Sequence, residues 1–146
     1  MHTSLIAEAL GFLAFFLALI GFSLKNPRHV LWFLCLPCAL WVGHFVILAQ
    51  FSGMATSTVA LIRNVIGAVA GERIVQKANL FLLILLTVIV LPSVNMAADL
   101  LPLCAALAGS LAVYLRERPL LFRLSCLSGQ AVWIAYGIVF SSAALV

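Results

Sequence analysis

Arg63 is the lone charge in the stretch from Met54 to Gly71, and its setting raises the first chemical question. A charged side chain at the centre of a bilayer costs about 2.5–3.5 kcal/mol on insertion scales. It therefore needs a polar cavity or a partner. Arg63 lies nine residues beyond Met54, roughly 13 Å along a helix that rises about 1.5 Å per residue, too deep to snorkel readily. Two roles are open: a cationic group lining a solute site or gate, or a structural arginine bonded to main-chain carbonyls or a carboxylate. Asn64 follows it and points about 100° away on a helix. It shares the edge of the same cavity or makes an interhelical hydrogen bond, worth about 0.6 kcal/mol on average in membranes.

Trp41 and Trp133 are the second candidates. Membrane tryptophans concentrate in interfacial belts, yet Trp41 falls about midway through its apolar stretch. Gln130, Trp133 and Gly137 fall at i, i+3 and i+7, and Cys38, Trp41 and Phe45 repeat that spacing. Each set occupies one helical face. Two facing aromatic walls with a polar rim suit a small polar solute; ordinary core packing is the other explanation. His44 and Tyr136, three residues further on, would line the outer part of such a cavity. Glu8 and Asp99 fall toward the outer ends of their stretches. They read as solvated carboxylates near helix starts, favoured by the helix dipole, or else as counter-ions to Arg63 or protonation sites for coupling. Pro37 removes a helix hydrogen bond, so a kink is expected there, at the position a hinge would take.

Cys35-Leu36-Pro37-Cys38 has the spacing of thiol oxidoreductases. Its setting in an apolar helix, with no loop cysteine to relay electrons, favours inert packing instead. Cys104 and Cys126 also lie inside apolar stretches. No metal-ligand spacing, phosphate loop or catalytic triad stands out. The chain is therefore expected to be no enzyme and to use no metal or cofactor.

The elements that position these residues must be membrane helices. Of the 146 residues, 66% are hydrophobic and 8% charged, against about 25% charged in a soluble domain. A core of this size could not hide so much apolar surface, so lipid is the expected surroundings. The net charge of +4 is accordingly not read as a nucleic-acid signal. A spanning helix needs about 20 apolar residues, and six stretches meet or nearly meet that length: 4–24, 30–51, 54–71, one within 76–94, 96–115 and 119–146. Turn residues punctuate them, as at Lys25-Asn26-Pro27-Arg28, Phe51-Ser52-Gly53 and Arg116-Glu117-Arg118-Pro119. The connections are too short to fold separately, so residues 1–146 form one transmembrane domain.

The cations fall in alternate connections: Lys25 and Arg28, then Arg73 and Lys77, then Arg116, Arg118 and Arg123. Seven of the eight lie on one face, which the positive-inside rule places in the cytoplasm. Both termini are then expected on the non-cytoplasmic side. The first residues lack the Lys or Arg that opens a signal peptide, so the first stretch is expected to stay as a helix.

A shift of 92 residues pairs Pro27 with Pro119, Ala39 with Ala131, Trp41 with Trp133 and His44 with Tyr136. The first stretch then overlies the fifth and the second the sixth. Residues 1–75 form repeat one, 76–94 a linker helix and 95–146 an incomplete repeat two. The paired helices run in the same direction, the parallel-repeat plan of some transporters.

Ala60-Leu61-Ile62-Arg63-Asn64, Asp99-Leu100-Leu101-Pro102 and Trp133 resemble the YgjV-type bacterial inner-membrane proteins over nearly the whole chain. The plan of short helices resembles, more distantly, the SWEET/PQ-loop sugar transporters. The resemblance implies a bacterial inner-membrane location and an all-α fold of three helices, a linker and two helices. It also implies that the third-helix asparagine, here Asn64, faces a solute pocket. The SWEET plan has seven helices and this chain has six, so a partner for Asn64 in repeat two is missing. Either the chain is a shortened version, or a neighbouring subunit of a homo-oligomer completes the site. The expected function is transport or facilitation of a small polar solute by alternating access. Its contacts would be Trp41, Arg63, Asn64, Gln130 and Trp133. Arg63 inclines the solute toward a carboxylate or other anionic group. A non-transporting assembly subunit is the alternative, followed by a thiol-redox protein using Cys35 and Cys38.

Overall fold

Polar side chains face inward in this bundle and large apolar ones face outward. Buried residues include His44, Thr56, Ser57, Arg63, Asn64, Asn79, Ser110 and Arg116, while Leu80, Phe81, Val88 and Leu127 stand on the exterior. That is the arrangement of a chain whose solvent is lipid. The computed structural model describes residues 2–94 and 96–140, which contain six α-helices. They are α1 (His2–Phe22), α2 (Pro27–Ile47), α3 (Phe51–Val69), α4 (Glu72–Val90), α5 (Leu101–Tyr114) and α6 (Pro119–Phe140). Among the described residues four segments are long and apolar enough to cross a membrane: Leu5–Phe22, Pro27–Ile47, Glu72–Ser93 and Ala97–Tyr114. Helices α3 and α6 are not among them, and in α3 the reason is composition, since Arg63, Asn64 and a Ser/Thr run dilute its apolar residues.

Local chemistry sets the helix ends. Asn26 accepts a hydrogen bond from Arg28 N on its side-chain oxygen at 2.9 Å, and Pro27 follows in the first turn of α2. At the far end Ala49 adopts φ 54°. Gln50 N bonds to Phe45 O at 3.0 Å and Ala49 N to Val46 O at 3.2 Å, which is the Schellman pattern with alanine in the left-handed position. The chain reverses there, so Phe51-Ser52-Gly53 opens α3 rather than forming the turn that its composition suggests. Helix α4 likewise begins at Glu72, which places Arg73 and Lys77 in its first turns. Between α4 and α5 lie two 3₁₀ turns, Leu91–Ser93 and Ala97–Leu100. Asp99 accepts from Met96 N at 3.0 Å in the second of these. Residues 141–146 of the expected final stretch lie outside the described residues.

Helix α2 packs between α1 and α3, and α5 packs on α6. The α1–α3 group and the α5–α6 pair meet where α3 touches α5, with α4 wedged against both. Small residues at Ala105, Ala106, Gly109 and Ala112 line the inner side of α5, and small side chains permit close helix approach in lipid. Helices α1 and α6, like α2 and α6, make few close backbone contacts, and residues of both α1 and α6 line the cavity along a seam between them.

The cation-bearing connections gather at one end. Arg116 donates to Gly67 O at 2.6 Å and to Ala70 O at 3.5 Å, and Arg123 donates to Leu24 O at 3.2 Å. Each arginine thereby serves carbonyls at or just past a helix C-terminus, which lack partners within their own helix. Asn26, Arg28, Arg116 and Glu117 line one recess at this end.

Candidate functional site

Thr56 and Arg63 are seven residues apart in α3, as are Ser57 and Asn64. Seven residues make two helical turns, so the four side chains share one broad face. All four are buried and line a cavity of about 370 Å³ between the two helix groups. Helix α2 contributes Pro37, Cys38 and Trp41, and α6 contributes Ser125, Cys126, Gln130 and Trp133. The structure thus brings Trp41, Arg63, Asn64, Gln130 and Trp133 to one cavity, with Pro37 in its wall.

Arg63 is 8% exposed. Its Nη1 donates to Ala106 O at 3.1 Å and to Ser110 Oγ at 3.3 Å. Its Nε has no partner among the described residues, and neither does the buried Thr56 Oγ1. Gly109 provides the room for this guanidinium: a Cβ there would lie 2.9 Å from Arg63 Cζ and 3.0 Å from Nη1. The ion pair found among the described residues joins Arg116 and Glu117 at 3.4 Å, so no carboxylate neutralises Arg63. Two neutral acceptors hold Nη1 of this buried cation, Nη2 packs against Gly109, and Nε makes no hydrogen bond among the described residues.

The surroundings of Arg63 extend to α4. Asn79 donates to Ser110 O at 2.9 Å, so Ser110 takes one bond from Arg63 on its hydroxyl and one from Asn79 on its carbonyl. Asn64 donates to Cys38 Sγ at 3.4 Å. Cys35 Sγ turns away to Leu31 O at 3.4 Å. The two thiols of the Cys-x-x-Cys segment therefore serve different contacts, and all four cysteines are free.

Aromatic rings close the end of the cavity opposite the cation cluster. Phe45 stacks on Trp41 with centroids 5.7 Å apart and on Trp133 with centroids 5.5 Å apart. The indoles do not face each other across open space; a phenylalanine ring occupies the place of a stacked solute. Tyr136 packs edge-on against Phe45 and Trp133. Its hydroxyl donates to Gln50 Oε1 at 3.4 Å and lies 3.5 Å from Ser52 Oγ. Gly53 lets Phe45 lie against α3, since a Cβ there would come within 2.7 Å of the ring. At the cation end Leu31, Val113 and Phe122 belong to an apolar cluster that also borders the cavity.

His44 and Tyr136 lie beyond the aromatic layer and do not line the cavity. His44 Nδ1 lies 2.7 Å from Ala7 O, so that nitrogen carries the proton and donates, tying α2 to α1. His44 Nε2 is buried without a partner among the described residues. Glu8 and Asp99 are half-buried, away from the cavity lining, and neither pairs with Arg63. Sequence reasoning passed over Gly109, Ser110 and Asn79, which shape the Arg63 site. The seven-residue spacing of Thr56 with Arg63 and the lone Asn79 in an apolar run were the available signals.

A family model, Imp-YgjV, described as bacterial inner membrane protein, matches residues 5–146. The chain belongs to this family, and the protein is embedded in the bacterial inner membrane. No curated protein and no solved structure matches the chain.

Proposed function

We propose that this member of the Imp-YgjV family is a transporter or facilitator for a small solute carrying a carboxylate or other anionic group. The observation that supports this is the buried Arg63 in the wall of a cavity, with no counter-ion and no partner for its Nε among the described residues. An intramembrane charge left unneutralised by the protein calls for a partner from outside it. A guanidinium matches carboxylate geometry through paired N–H groups. Asn64 and Gln130 supply further polar contacts, and Trp41 and Trp133 the apolar ones.

In this reading all six helices span the membrane, and the cation end faces the cytoplasm by the positive-inside rule. The start of α1 and the end of α6 then lie outside. The α1–α3 group and the α5–α6 pair act as two parallel units that rock about the α3–α5 contact, with Pro37 as a point of flexure. The arrangement described here is closed at both ends, by Phe45 between the indoles and by Leu31, Val113 and Phe122 opposite.

A thermal-shift screen of the purified protein with carboxylates, each paired with its isosteric amide, tests the reading. Stabilisation by carboxylates alone, absent in Arg63→Gln, is expected. Equal stabilisation of both proteins would overturn the assignment. Flux in proteoliposomes by a Cys35→Ser variant, which leaves the Cys38 contact with Asn64 in place, should equal that of the parent; loss of flux would instead favour thiol chemistry.

A further inference from the structure

The cavity has a side as well as two ends. Phe15 and Leu19 on α1, and Leu127 and Ile134 on α6, line it and also stand exposed on the bundle exterior. Leu19 is 49% exposed and Leu127 63%. Phe15, Leu127 and Ile134 lie inside their helices and Leu19 in the last turn of α1, and together they flank the seam between α1 and α6. The ends are covered, by the aromatic stack on one side and the Leu31–Val113–Phe122 cluster on the other. The seam is thus the open face, and it faces lipid.

We infer that the cavity opens laterally into the bilayer between α1 and α6, and that its ligand is a single-chain amphipathic carboxylate. The head sits on Arg63 and the tail leaves along the seam. This rests on the reading of Arg63 as the anion-binding group, and it refines the solute from a simple polar molecule to one with a polar head and an apolar tail. Three observations converge on that chemistry. Among the described residues Arg63 has no carboxylate partner, and its buried Nε makes no hydrogen bond there, which leaves it hydrogen-bonding capacity for a carboxylate. Thr56 Oγ1 is a second buried polar atom in the same lining without a partner among the described residues. Toward the seam the wall is Phe15, Leu19, Leu34 and Ile134, which suits an alkyl chain. A volume of about 370 Å³ stands near the lower end of ligand cavities, roughly 300–1,000 Å³, and favours one chain over two.

The test uses the protein in phosphatidylcholine nanodiscs with Trp32→Phe as background, because Trp32 is exposed on the exterior and any brominated lipid would quench it. Dibromostearate is titrated and the emission of Trp41 and Trp133 is followed, with dibromostearyl alcohol as the uncharged control. Saturable quenching by the carboxylate alone is expected. Arg63→Gln should raise the half-saturating concentration at least about tenfold, the loss of a charge-assisted hydrogen bond. Leu19→Phe/Leu127→Phe, which fills the seam at lipid-facing positions and leaves Arg63 untouched, should weaken the quenching while the fold persists.

Stabilisation by butyrate that depends on Arg63, with dibromostearate quenching no more than the alcohol, would overturn lateral entry and leave the anion-transport reading standing. Failure of both carboxylates would overturn both. Full displacement of dibromostearate by added phosphatidylglycerol would assign the head to a phosphodiester lipid and overturn the carboxylate assignment. Quantitative cross-linking of Leu127→Cys between two copies in native membranes would show the seam covered by protein, and would also overturn the inference.

Discussion

The guanidinium of Arg63 lies where a side chain on Gly109 would begin, with Nη2 nearest and Cζ 2.9 Å from the position of its Cβ. Gly109→Ala should therefore displace Arg63 from Ala106 O and Ser110 Oγ. Hydrogen bonds from a charged group contribute about 1.5–3 kcal/mol, so the melting temperature in detergent should fall and carboxylate-dependent stabilisation should vanish with it. Gly71→Ala is the control, since a Cβ there meets nothing within 4 Å; it should leave both readouts close to the parent's.

Arg116 is buried and holds the carbonyls of Gly67 and Ala70 at the end of α3. Arg116→Met should destabilise the protein by about 1.5–3 kcal/mol, the range for hydrogen bonds to charged groups. Glu117 is exposed, and an exposed ion pair contributes about 1 kcal/mol at most, so Glu117→Gln should cost far less. Chemical unfolding of both variants in the same detergent decides between capping and charge pairing as the role of Arg116.

Ala49 sits at φ 54° at the end of α2. The left-handed conformation costs an L-residue roughly 1–2 kcal/mol, and glycine gives back part of that gain through its flexibility in the unfolded chain. Ala49→Gly should stabilise the protein by about 0.5–1 kcal/mol, read as a higher melting temperature with unchanged ligand response.

Phe45 fills the space between Trp41 and Trp133. Phe45→Ala should cost about 3–5 kcal/mol, as for other buried phenylalanines, and should open that end of the cavity. Acrylamide should then quench tryptophan emission more strongly than in the parent, measured in the Trp32→Phe background. Unchanged quenching with lowered stability would assign Phe45 to packing alone.

The membrane class was legible in composition, because lipid exposure demands apolar side chains whatever the fold. Arg63 and Asn64 could be singled out because charge is rare in such chains, and the shared spacing of Trp41 and Trp133 brought both to attention. Their surroundings were not legible. The partners of Arg63 come from α5 and, through Ser110, from Asn79 on α4, and no local pattern records which helices will meet. The role of Phe45 as the filler between two indoles was hidden for the same reason. Helix ends were missed where side chains overrode composition: Ala49 takes a conformation usually left to glycine, and Ser52-Gly53 joins a helix because the reversal is already complete. Arg116 reads as one of several loop cations, yet it is buried, while Arg118 beside it is exposed.

The separation of Arg63 from its acceptors bears on how the chain is made. Arg63 leaves the ribosome 43 residues ahead of Ala106 and 47 ahead of Ser110, and Gly67 precedes Arg116 by 49. At the moment α3 is synthesised nothing exists to receive its guanidinium or to close its last turn. Helix α3 is also not among the described segments that are long and apolar enough, by composition, to cross a membrane. On the proposed six-span reading, α3 therefore gains the acceptors for its guanidinium only once α5 has been made, late in the synthesis of the chain.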